Sequence, residues 1–201
     1  MTRAVAAIAA VVLAFGFAAC YLLMVATARG QTADVAIFRV VFGIVPAGWP
    51  AVLVSGFARA AVIVLLAALA TVLGVAAVGQ HAWGRLAGAL LTVAVSVAVG
   101  VWLRNDVFVR PAFTDEAFPQ NSMPSNHAVA AAALVAAVLL LWPWRPPWWL
   151  PNTAGVVLLL VAVGNIVSQA HRPSDVVASF LLVAAVGAAA MALVGIPRWR
   201  R

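Results

Sequence analysis

His171 and Asp175 are separated by three intervening residues in HRPSD, and His127 closes the run PSNH. A carboxylate near a histidine can accept its Nδ1 proton and leave Nε2 as an attacking lone pair. A second histidine can protonate the oxygen that departs. Arg104 and Arg110 lie just upstream of PSNH, and arginine forks match the oxygens of a phosphate group. Positive charge, two histidines and a carboxylate are the inventory of a phosphate-ester site. Each piece alone is commonplace. His-x-x-x-Asp is more often structural, an arginine at a span end more often snorkels, and Ser125 is a helix cap whether or not it meets a ligand. The weight rests on their occurring together on one face.

The surroundings sharpen the contrast. Residues 104–127 hold three of the five acids (Asp106, Asp115, Glu116) and one of the three histidines, in a chain of 201 residues that is 66% hydrophobic and 8% charged. Ionisable groups are costly in a membrane protein and are functional candidates by default. The three acids of this run read as solvated, because carboxylates repel a phosphate substrate. Apolar runs approach the roughly 20 residues that cross a bilayer as helix, which excludes an ordinary soluble domain. The single cysteine, Cys20, excludes an internal disulfide and a multi-cysteine metal site. The net charge of +7 comes from scattered arginines without a basic stripe, so no nucleic-acid partner is expected.

The elements that must position these residues follow from the apolar runs. Spans are predicted at residues 4–27, 60–79, 83–102, 126–142, 153–168 and 174–196. The first run, about 24 residues, is too long for a cleaved signal's apolar core. The polar residues 28–34 break the chain after it, and residues 35–44, with Arg39, suggest a helix lying along the membrane surface. Pro46, Gly48 and Pro50 end that helix. Starting the second span at residue 60 leaves Arg59 at the membrane surface. Residues 144–151, WRPPWWLP, are not helical throughout. The expected fold is all-α: a polytopic six-transmembrane-helix bundle with an interfacial helix between helices 1 and 2, forming one domain over residues 1–201.

All eight tryptophans fall near predicted helix ends, as in an aromatic belt. With the N-terminus inside, arginines divide six to six between the two sides. Discounting Arg104, Arg110 and Arg172 as site residues favours that orientation and puts the working segments outside. Ser125 is placed to cap the helix that begins at Asn126, and Pro173 suits the first turn of the last helix. Two helix N-termini aimed at one spot would favour an anion.

Arg110-Pro111, PSNH at 124–127 and HRPSD at 171–175 resemble the three signature blocks of the type 2 phosphatidic acid phosphatase (PAP2) superfamily, in order, in spacing and in placement on six helices. The family pattern is Lys, six residues, Arg-Pro; then Pro-Ser-Gly-His; then Ser-Arg, five residues, His, three residues, Asp. The resemblance implies that His171 is a nucleophile forming a phosphohistidine, that Asp175 orients it and that His127 is the general acid. It implies phosphate binding by Arg110 and Ser125, with no metal or other cofactor. Three positions depart from the pattern. Leu103 takes the place of the Lys, with Arg104 one residue later. Asn126 replaces Gly and can adopt the left-handed backbone more readily than most residues. Gly164-Asn165 replaces Ser-Arg, and loss of such a donor costs about 3 kcal/mol of transition-state stabilisation. Arg59 or Arg172 is the expected substitute, and Asn165 itself is a candidate contact.

The function expected is removal of a phosphate or diphosphate from a lipid, within the bilayer and at the outer face of the cell membrane. Polyprenyl diphosphates, polyprenyl-linked sugar phosphates, phosphatidic acid and phosphatidylglycerol phosphate are the substrate classes considered. The alternatives are a degenerate PAP2-like protein that binds phospholipid head groups without turnover, and a transporter-like bundle.

Overall fold

A chain in lipid has no water to satisfy its backbone, so an apolar sequence of this kind must bond its own N–H and C=O groups within helices. The computed structural model describes residues 2–43, 49–113 and 122–195, with the side chains of 49–55 left aside. These residues form α1 (Arg3–Cys20), α2 (Ala28–Gly43), α3 (Trp49–Gly79), α4 (Trp83–Trp102), α5 (Asn126–Leu141), α6 (Trp149–Val167) and α7 (Pro173–Val194). Single π-helical turns extend α1 through Tyr21–Val25 and α4 through Leu103–Val107. No strand occurs among the described residues. Asp115, Glu116, the break at Pro46 and Gly48, and the side chains of Trp49 and Trp199 lie outside the described set.

Among the described residues, five helices are long and apolar enough to cross a membrane: Arg3–Val25, Gly56–Gly79, Trp83–Val107, Trp149–Val167 and Pro173–Val194. The expected fourth span is the shorter apolar helix α5, with 16 residues, about 24 Å at 1.5 Å per residue. It packs against α3, α4, α6 and α7. Its alanine-rich surface lets those neighbours approach, and most of its residues are buried. Gly88, Thr92, Ser96 and Gly100 are buried at four-residue intervals along α4, which puts them on one face. A Cβ on Gly100 would stand 3.4 Å from the Val129 side chain. α1 packs on α7, while α1 and α3 expose Ile8, Phe15, Val64 and Leu65 outward, an apolar surface suited to lipid.

One end of the bundle is closed by Arg85. Its Nη1 donates to the Trp142 carbonyl just after α5 at 2.8 Å, and its Nη2 to Gln80 Oε1 at 3.2 Å. At the same end, the Arg3 guanidinium lies beside Gly195. The chemistry-bearing residues gather at the other end.

Several boundaries differ from the sequence-based expectation. Residues 28–34 are not a break but the first half of α2. Thr27 Oγ1 accepts the Gly30 N–H at 3.0 Å, as an N-cap does, and the polar side chains of Gln31 and Asp34 find buried partners. α3 begins at Trp49, not residue 60, so Arg59 belongs to its helical body. α6 begins at Trp149 and includes Pro151, tolerated because first-turn N–H groups have no helical acceptor. Residues 103–107 continue α4 as a π turn closed by Phe108 N–H to Leu103 O at 2.8 Å.

Candidate functional site

The site is assembled where α7 begins. Pro173 occupies its first position, with the ring's fixed φ suited to helix entry. Asp175, one turn in, is fully buried and acts as the hub. Its Oδ1 accepts from Arg110 Nη2 at 2.6 Å. Its Oδ2 accepts from the Arg172 backbone N–H at 3.0 Å and from the Ser122 hydroxyl. His171 Nδ1 stands 3.7 Å from the same oxygen, beyond hydrogen-bond length. The pairing expected between His171 and Asp175 is therefore poised but not closed, because Arg110, Ser122 and a backbone donor already claim the carboxylate.

Arg110 reaches Asp175 because its short extended segment is held from three sides. Tyr21 stacks on Phe108 with ring centroids 4.1 Å apart and donates its hydroxyl to the Val109 carbonyl at 2.9 Å. Gln31 Nε2 donates to the Pro111 carbonyl at 2.7 Å and to Val25 O at 2.8 Å. The guanidinium is buried, and its Nε and Nη1 have no hydrogen-bond partner among the described residues. Its Nη1 lies 4.0 Å from Asp34 Oδ2. An arginine expected only to meet a ligand is thus also anchored to the protein, with Nε and Nη1 left without hydrogen-bond partners among the described residues.

Asp34 is a second carboxylate at this centre, and it comes from α2. Its two oxygens accept from Ser174, Oδ1 from the backbone N–H at 2.9 Å and Oδ2 from the hydroxyl at 2.6 Å. Burial pushes its carboxyl above the ordinary carboxylate range, against the opposing pull of the two Ser174 bonds. These contacts revise one expectation: the N-terminus of α7 does not present open N–H groups to an anion. Asp34 occupies the Ser174 donor, and Pro173 has none.

The N-terminus of α5 does match expectation. Ser125 caps it, with Oγ accepting the Ala128 N–H at 3.3 Å. The Ser125 backbone N–H donates to Ser179 Oγ at 2.9 Å, and Ser179 in turn bonds the Asp175 carbonyl at 2.7 Å. The PSNH turn is thereby fastened to the first turns of α7. Asn126 Oδ1 is buried and has no hydrogen-bond partner among the described residues. His127 is exposed, within electrostatic reach of Arg59, His171 and Arg104.

Asn165 is fully buried near the end of α6. Its Nδ2 donates to Val161 O at 2.7 Å, and its Oδ1 accepts from Ser125 Oγ at 3.4 Å and from Arg59 Nη1 at 3.1 Å. Its own carbonyl accepts the His171 N–H at 3.3 Å. The Arg59 stem crosses Gly164, where a Cβ would stand 3.4 Å from Arg59 Cγ. Arg59 thus reaches from α3 to α6, and its Nε is buried without a hydrogen-bond partner among the described residues. Arg172 is also buried, at 2% exposure. Arg104 is half-buried in the π turn.

Side-chain hydrogen bonds tie Arg110 to Asp175 and Arg59 and Ser125 to Asn165, His171 stands 3.7 Å from Asp175, and His127 lies within electrostatic reach of Arg59, His171 and Arg104. Asp34, Gln31, Ser122 and Ser179 were not anticipated. The sequence signal that marks Asp34 is an acid set between two apolar stretches, as in residues 104–127. The two serines carry no such signal, since serine occurs freely in membrane helices.

The model of the PAP2 superfamily matches residues 101–199. That part holds Arg110, PSNH and HRPSD and is similar to the PAP2 superfamily, whose members are in general phosphatases acting on phosphate esters. Neither the curated proteins nor the solved structures compared with the chain gave a match.

Proposed function

We propose that the protein is a membrane-embedded phosphatase that removes a phosphate or diphosphate group from a lipid at the outer face of the cell membrane. The observation that carries the reading is the meeting of Arg110, Ser125 and the His171–Asp175 pair, from three separate segments, at one end of an apolar bundle. The Nε and Nη1 of Arg110, without a hydrogen-bond partner among the described residues, add buried donors, which an anion would satisfy. In this reading residues 1–201 form one domain of six spans, with α5 as the enclosed fourth and α2 lying along the outer interface.

His171 Nε2 attacks phosphorus, and the P–O bond to the lipid breaks as the N–P bond forms. His127 gives its proton to the departing lipid oxygen. Asp175 holds the Nδ1 proton, after the 3.7 Å gap shortens as it commonly does on substrate binding. Water then attacks the phosphohistidine, His127 takes back a proton, and inorganic phosphate leaves. These steps use protein groups alone and no metal. Arg110, Arg104, Ser125 and Asn126 hold the phosphate oxygens.

Arg59 supplies the guanidinium that Asn165 does not, steered by the side-chain Oδ1 of Asn165 and given room by Gly164. Arg172, beside the nucleophile in sequence, is a further phosphate contact. The substrate class is a polyprenyl diphosphate, a polyprenyl-linked sugar phosphate or phosphatidic acid, admitted sideways from the bilayer.

Phosphate release from a panel of these lipids, with His171→Ala as control, tests the reading. Release abolished by that substitution supports it, whereas no release from any lipid contradicts it. The neutral side chain at 165 favours one alternative, a head-group binder without turnover. Lipid phosphate bound but never hydrolysed would mark that case.

A further inference from the structure

Asp34 lies outside the residues matched to the superfamily and has no part in the steps above, yet it is fully buried and its bonds are specific. The N-cap residue of α7 is Arg172, whose guanidinium has donors only and cannot accept a first-turn N–H. An acceptor for the Ser174 N–H must come from elsewhere, and Asp34 supplies it from α2. A neutral side chain would suffice as a cap. A buried carboxylate costs several kcal/mol unless a charge faces it, and Arg110 Nη1, 4.0 Å away, is that charge. Arg110 therefore sits between Asp175 on Nη2 and Asp34 on the side of Nη1.

We propose that Asp34 is a positioning residue for the phosphate site, fixing the first turn of α7, and with it His171, while setting the edge that Arg110 turns toward the phosphate. The proposal rests on the phosphatase reading for its kinetic consequence, but its structural half stands alone. α2 becomes part of the site without touching substrate. Gln31, one turn earlier on α2, works to the same end by holding the Pro111 carbonyl.

The test uses the full-length protein in detergent micelles with farnesyl diphosphate as probe. Asp34→Asn keeps an acceptor for the Ser174 N–H but turns a donor amide toward the Ser174 hydroxyl and Arg110. Its kcat per folded molecule should fall about 10-fold or more, equivalent to roughly 1.4 kcal/mol, while KM stays within about threefold because a negative charge near the phosphate has been removed. Asp34→Glu should recover part of the loss. Ser174→Ala, which removes one bond and keeps both charges, should move kcat the same way by less, and it serves if Asp34→Asn does not fold.

Independently of turnover, diethyl pyrocarbonate labelling resolved at His171 should quicken severalfold in Asp34→Asn, with His81 labelling unchanged. Folded Asp34→Asn protein with wild-type kcat, or with unchanged His171 labelling, overturns the proposal. A wild type inactive on every lipid phosphate would overturn the phosphatase reading instead, leaving the labelling to decide the role of Asp34.

Discussion

Asn165 accepts from both Arg59 and Ser125, so it orients groups that themselves carry donors toward the site. A side-chain change from donor to acceptor at this position is thereby coupled to a donor on another helix. Arg59→Ala is expected to lower kcat/KM about 100-fold or more, the scale on which a single oxyanion donor acts. Adding Asn165→Arg to Arg59→Ala should restore at least a tenfold part of it. Phosphate release by the single and double variants checks this, and a double variant no better than the single one counts against the exchange. The histidines, Arg110 and Ser125 were legible from residue type and spacing. The partnership of Arg59 with Asn165 was legible only as a need for a substitute, because residues 106 apart meet through tertiary packing that spacing does not encode.

The elements explain how such contacts are held. The apolar second half of α2 is legible as helix in the sequence, whereas its polar start, residues 28–34, has the composition of a break. The reason is physical: Gln31 and Asp34 look solvent-seeking until buried partners are known. Gly30 allows the start of α2 to fold back on the preceding turn, since a Cβ there would collide with the Leu23 carbonyl oxygen and Met24 Cα. Gly30→Ala should displace Gln31 and Asp34 together and lower phosphate release at least tenfold in protein that still folds. Wild-type activity would show that α2 does not govern the site. At the far end, Arg85→Ala removes the donor to the Trp142 carbonyl after α5. A loss of about 1 kcal/mol is expected for a part-buried hydrogen bond removed, read as a lower midpoint of unfolding, with kcat per folded molecule unchanged.

For the whole molecule, hydropathy makes the all-helical class legible, because lipid demands internally bonded backbone, and five of the six expected spans are long apolar helices among the described residues. α5 is shorter than such a helix needs to be, and it owes its place to neighbours on several sides. That enclosure puts the Ser125 cap and the α7 entrance in one buried polar region, with His127 exposed beside it. A site of this kind can hold a charged head group while the surrounding helices remain in contact with lipid tails.

The central claim is that His171 carries the phosphate between lipid and water. The most direct measurement is rapid acid-free quenching of the protein with a phosphate-labelled lipid substrate, followed by peptide mapping. Label should appear on the peptide containing His171, be stable to base and labile to acid, and be absent from His171→Ala. Label on another residue, or turnover that survives His171→Ala, would contradict the account.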